Sequence, residues 1–87
     1  MAGKREKKWM ESVAGIGCLI CRENGFSDSP AEVHHVFQKR SAYLTVPLCP
    51  SHHRGPRGFH GLGQRAFEAM YSMTEQDLLA MTIEALA

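Results

Sequence analysis

Two adjacent histidine pairs, His34-His35 in "EVHHVF" and His52-His53 in "LCPSHHR", take four of the five histidines in an 87-residue chain. The second pair follows closely on a cysteine, so that Cys49-x-x-His52 repeats the spacing that Cys18-x-x-Cys21 sets earlier. Two short-spaced pairs of soft donors, joined by a longer segment, suit a tetrahedral zinc ion, because a tight turn brings both side chains of a pair onto one cation. Cys18, Cys21, Cys49 and His52 are therefore expected to hold a structural zinc. The plainer alternative is three buried free thiols and an ordinary histidine.

That assignment uses His52 and leaves His34, His35, His53 and His60. Adjacent helical residues diverge by about 100°, so His52 and His53 cannot easily face one ion. His53 is expected to serve a second metal site. The first pair carries a difficulty: consecutive strand residues point to opposite faces. His34 and His35 share a site only if the strand ends or bends there, or if they reach it from different sides.

The elements that must position these residues can be read in outline. "KREKKWMESVA", residues 4–14, contains good helix formers, with Trp9 and Val13 four apart on one face. Gly15 and Gly17 stop that helix, "CLIC" forms a tight knuckle, and "RENGFSDSP" is loop by composition. "AEVHHVF" and "AYLTVPL" read as strands joined through "QKRS", a hairpin in which Pro47 fits a strand end better than a middle. "PSHHR" suits a helical turn with proline early. "GPRGFHGLG" is too rich in glycine for regular helix, and "QRAFEAMY" resumes helix with Phe67, Met70 and Tyr71 at helical spacing. Thr74 reads as an N-cap, with Asp77 completing an approximate capping box. The last helix is expected to bury a stripe of Leu79, Ile83 and Leu86, with Leu78 and Thr82 beside it.

Composition bounds the class. The chain is 44% apolar and 22% charged, which argues for a globular fold and against disorder. So short a chain makes a marginal core, and a metal staple is a common remedy. No apolar run is long enough to span a bilayer, and "MAGKREKKWM" is too polar for a secretory core, so a cytosolic protein is expected. There a C-x-x-C means metal or redox chemistry, and no βαβ pattern supports the redox reading. The formal charge of +1 excludes little. Its distribution is more telling: Lys39, Arg40, Arg54, Arg57 and Arg65 lie between the first histidine pair and the end of the glycine-rich loop, while Glu75, Asp77 and Glu84 gather near the C-terminus. A basic strip beside histidines fits a phosphate-bearing partner, although a solvated surface has the same composition.

The order of these motifs, C-x-x-C, then His-His at a strand end, then "PLCPSHH" at a helix start, resembles the HNH or ββα-metal endonucleases. The chain is most similar to small phage-type recombination-enhancement, RecA-dependent nucleases, from about Trp9 to Tyr71, including "GIGCLIC", "VHH", "TVPLCPSHHR" and "GFHGLGQRAFEAMY". The resemblance implies an α+β, zinc-stapled domain over residues 1–87, with an N-terminal helix at about 4–14, a zinc-knuckle and ββα core at about 18–60, and C-terminal helices at about 64–86.

It also implies His35 as general base and His34, His53 and His60 as ligands of one catalytic divalent metal, with His52 replacing a more usual fourth cysteine in the zinc site. DNA would be cut with low sequence specificity, in phage or prophage recombination in the cytoplasm of a bacterial host, with a RecA-type filament as the suggested partner. Lys39, Arg40, Arg54, Arg57 and Arg65 would contact phosphates. Three imidazoles suit Zn, Ni, Co or Mn better than Mg. Turnover is expected with Mg²⁺ or Mn²⁺, and Zn²⁺ or Ni²⁺ could occupy the site.

One departure stands out. The family's asparagine, a few residues before "PLC", has no counterpart in "SAYLTVPLC". Ser41, Tyr43, Thr45 or a backbone carbonyl would have to fix the His35 tautomer. The rival readings are a non-catalytic zinc-binding, nucleic-acid-binding module, which gives His35 no task, and a nuclease fold that has lost activity.

Overall fold

The computed structural model describes residues 3–26 and 28–87. Helix α1 (Lys4–Gly15) runs close to the expected span, and its Glu6 carboxylate accepts the Gly3 N–H at 2.9 Å. Val13 is fully buried, and Trp9 packs its ring against Tyr43 at 5.7 Å between centroids. The knuckle at Cys18 opens a short helix, α2 (Leu19–Glu23), that drives Leu19 and Ile20 into the core.

Strands β1 (Glu32–His35) and β2 (Thr45–Leu48) form the antiparallel sheet, with Glu32 opposite Leu48 and His35 opposite Thr45. Both are shorter than the sequence suggests. β1 ends at His35, and the chain turns at once through a 3-10 segment, Val36–Gln38, in which Phe37 and Gln38 adopt left-handed φ of 59° and 55°. The link is therefore the whole stretch 36–44, not "QKRS" alone. Pro47 lies inside β2 and not at its end. The register explains this. The Val36 N–H donates to the Leu44 carbonyl at 2.9 Å; because bonded pairs alternate along an antiparallel ladder, Val33 opposite Pro47 falls on a non-bonded position and no N–H is missed.

Helix α3 (Pro50–Arg54) starts with proline at its first position, where a missing N–H costs nothing. The glycine-rich segment, expected to be irregular, instead contains a helical turn, α4 (Phe59–Leu62). Its glycines allow close packing. A Cβ on Gly58 would sit 2.6 Å from the Ser51 carbonyl oxygen, and one on Gly61 would run into that of Gly55. Helix α5 (Gln64–Tyr71) buries Phe67 and ties the preceding loop through its Tyr71 hydroxyl, which donates to the Arg57 carbonyl at 2.7 Å. Met70, on the expected apolar face, is 52% exposed.

Helix α6 (Glu75–Leu86) has the full capping box: Thr74 accepts the Asp77 N–H at 3.0 Å and Asp77 accepts the Thr74 N–H at 2.9 Å. Its buried line is Glu75, Leu78 and Thr82, while Ile83 is 52% exposed. The buried line thus lies to the Leu78 and Thr82 side of the Leu79–Ile83–Leu86 stripe, with Leu79 still packed against the core. The core gathers Leu19, Ile20, Val46, Leu48, Phe67 and Leu78. Among the described residues, no helix is long and apolar enough to cross a membrane.

Candidate metal centres

The four zinc-type donors converge. Cys18 heads α2, Cys49 caps α3, and the Cys49 sulfur accepts the His52 backbone N–H at 3.4 Å. The His52 Nδ1 lies 3.5 Å from the Cys18 sulfur, 3.5 Å from Cys21 and 3.2 Å from Cys49, and the Cys21 and Cys49 sulfurs are 3.9 Å apart. With Zn–S near 2.3 Å and Zn–N near 2.0–2.1 Å, the edges of a tetrahedron are roughly 3.8 Å between sulfurs and roughly 3.6 Å from sulfur to nitrogen. The donor set fits a structural metal such as zinc. Burial pushes the Cys18 thiol up to about 12 against backbone donors that lower it, so a cation would have to displace its proton. Burial also lowers the His52 imidazole, which keeps Nδ1 available as a donor.

A second cluster lies on the other side of α3. One ring nitrogen each of His34, His53 and His60 falls within 4.8 Å of the others. His34 comes from β1, His53 from α3 and His60 from α4. The tight approach that Gly58 and Gly61 permit carries α4 against α3 and sets the His60 and His53 rings 4.9 Å apart. His34 is 3% exposed, with the Phe59 ring 4.2 Å from its own. Burial outweighs the neighbouring Glu75 carboxylate and holds His34 below the ordinary imidazole value, so the ring is neutral at neutral pH. Three imidazole donors suit a divalent transition ion.

His35 is exposed and stands outside this trio, yet it lines the same cleft of about 310 Å³ as His34, Gln38, His60, Gln64 and Glu75. The strand end and the left-handed turn that follows reconcile the two faces of the pair. Among the described residues none of the candidate substitutes for the family asparagine holds the His35 ring: the Thr45 hydroxyl donates to the Ala42 carbonyl at 2.8 Å, and the Ser41 hydroxyl accepts the Tyr43 N–H.

The basic residues divide. Lys39, Arg40, Arg57 and Arg65 are exposed and make no ion pair among the described residues. Arg54 instead grips Glu32, at 2.7 Å to Oε2 and 3.0 Å to Oε1, and Glu32 in turn meets His53 Nδ1 at 2.8 Å. Glu75, read from sequence as part of a distant acidic group, is 4% exposed and meets His34 Nε2 at 2.9 Å. Glu32 could have been found from its position two residues before His34 on the same strand face. Glu75 had no local signal.

The family described as recombination enhancement, RecA-dependent nuclease matches residues 2–87. The chain belongs to that family. None of the curated proteins matches it. As a member of the RecA-dependent nuclease family, it carries the family's description as a nuclease acting in recombination. Nucleic acid is the substrate class which that description implies.

Proposed function

We propose that the chain is an HNH-type DNA endonuclease that hydrolyses phosphodiester bonds with His35 as general base and one divalent metal held by His34, His53 and His60. One observation carries the reading: three imidazoles from three separate elements converge beside a cleft that His35 also lines. Cys18, Cys21, Cys49 and His52 hold a structural zinc that fixes α2 to α3, and so fixes His53.

His35 takes the proton from water as the water oxygen bonds to phosphorus and the P–O3′ bond breaks. A neutral imidazole suits that task near pH 7. When bound, the metal supplies Lewis-acid stabilisation of phosphate and leaving-oxygen charge. The products carry 5′-phosphate and 3′-hydroxyl ends. Lys39, Arg40, Arg57 and Arg65 are free to meet neighbouring phosphates, contacts that position a strand without reading its bases, so sequence preference is weak. The family is described as RecA-dependent, and a RecA-type filament on the DNA is the partner this reading adds.

The test is nicking of supercoiled plasmid and cleavage of RecA-coated DNA by the wild type and His35→Ala, in Mg²⁺ and Mn²⁺. Loss of about 10²–10⁴-fold with the fold intact is expected. Equal cleavage by both proteins would remove His35 from the role of base. Tight DNA binding without cleavage on either substrate would favour the non-catalytic module.

A further inference from the structure

Two carboxylates contact the three-histidine cluster, one on the His34 ring and one on the His53 ring. Glu75 Oε2 meets His34 Nε2 at 2.9 Å, and Glu32 Oε1 meets His53 Nδ1 at 2.8 Å. An ionised carboxylate only accepts hydrogen bonds, so each ring must place its proton on the engaged nitrogen. That leaves Nδ1 of His34 and Nε2 of His53 as the lone-pair nitrogens.

Glu75 has a second task. Its Oε1 accepts the backbone N–H of Phe37 at 3.1 Å. Phe37 is the first left-handed residue of the turn after His35, and it is neither glycine nor asparagine. A bulky side chain in that conformation needs support from its surroundings. One buried side chain thus sets the ring of His34 and holds the turn that leaves His35 at the cleft.

We propose that Glu75 and Glu32 are positioning residues that fix the tautomers of His34 and His53, so that His34 offers Nδ1 and His53 offers Nε2 to the metal. The proposal rests on the reading of this cluster as a metal site. Glu75 is the more demanding of the two, because both of its oxygens accept from donors. The near-isosteric glutamine cannot do this. Turning its NH₂ toward His34 would force the proton onto Nδ1 and remove that ligand; turning the NH₂ toward Phe37 would set two donors against each other.

The test uses the full chain, zinc-loaded at the cysteine cluster, in wild-type, Glu75→Gln, Glu32→Gln and His53→Ala forms. Nitrogen-15 NMR of the imidazoles reads the tautomers, and Ni²⁺ titration by calorimetry reads the second site. The expected wild type has His34 protonated on Nε2 and binds one Ni²⁺ beyond its zinc. Glu75→Gln should move the His34 proton to Nδ1, or broaden the signal between forms, and weaken Ni²⁺ binding about 10–100-fold. Glu32→Gln, at a partly exposed position, should weaken it less and change only the His53 signals. Unchanged tautomers and Ni²⁺ affinity in both glutamine variants, with binding abolished in His53→Ala, would overturn the positioning roles and leave the metal site standing. A wild type that takes up no Ni²⁺ would instead overturn the metal site, and with it this proposal.

Discussion

The two clusters on α3 are built to different standards. The cysteine cluster is made of sequence-local knuckles: Cys18 and Cys21 flank one turn, and Cys49 and His52 flank another. Its donors already lie near the edges of a zinc tetrahedron. The histidine cluster draws one residue from each of three elements and relies on carboxylates from a strand and a distant helix to hold its rings. A site that must only stay closed can be made of short turns. One that borders an open cleft and must keep a position for substrate needs aim, and aim comes from partners far away in sequence.

The contrast is sharpest at adjacent residues. His52→Ala removes a donor whose ring nitrogen touches three sulfurs. Structural zinc contributes on the order of 10–16 kcal/mol in small peptides, as much as the whole stability of a typical domain. The variant should lose bound zinc and its cooperative thermal transition together, as read by metal analysis and circular dichroism. His53→Ala, one residue on, should keep zinc and melt cooperatively while losing the second metal. If both variants kept their zinc, the division of labour within the pair would collapse.

Thr74→Ala tests whether the histidine cluster depends on the start of α6. Loss of the cap costs about 1 kcal/mol, measured as a shift in the urea midpoint. Because Glu75 directly follows the cap, affinity for the second metal should fall as well, with zinc content unchanged.

The smallest effect belongs to Arg54. Its guanidinium, and after it the His53 ring, hold the Glu32 carboxyl down to about 2, from an ordinary value of 4.5. A depressed carboxyl contributes stability that is complete above its unfolded value and is lost as pH falls through its folded value. Wild type and Arg54→Ala should therefore differ slightly and constantly at neutral pH, and converge between about pH 4.5 and 2. A gap in urea midpoints that failed to narrow as pH falls from about 4.5, over the range in which both proteins keep their zinc, would assign the effect to something other than the Glu32 pair.

What could be read in the sequence follows the same division. Both knuckles and the Thr74–Asp77 box are set within a few residues, so spacing alone revealed them. The histidine trio was legible as a set of residue types, and its approach through Gly58 and Gly61 was not: the glycines read as a break in regular helix, and they serve as clearance between backbones. Glu75 lies 41 residues from His34, and nothing near it in sequence marks a buried carboxylate. The inward face of α6 carries Glu75 with Leu78 and Thr82, while Ile83 turns outward. The left-handed turn at Phe37 and Gln38 was hidden for a related reason. Neither residue favours that conformation alone, and the oxygen that supports it comes from the same distant glutamate.

The register of Pro47 carries one more consequence. Lying on a non-bonded position opposite Val33, it has the nitrogen side of its peptide turned away from β1, toward the outer edge of β2. That side of β2 is not open: Pro47 and the rest of the strand are buried. An N–H placed there would be a buried donor for which β1 offers no acceptor, at a cost of about 1–3 kcal/mol. Pro47→Val should therefore lower the urea midpoint, although valine is the more usual strand residue.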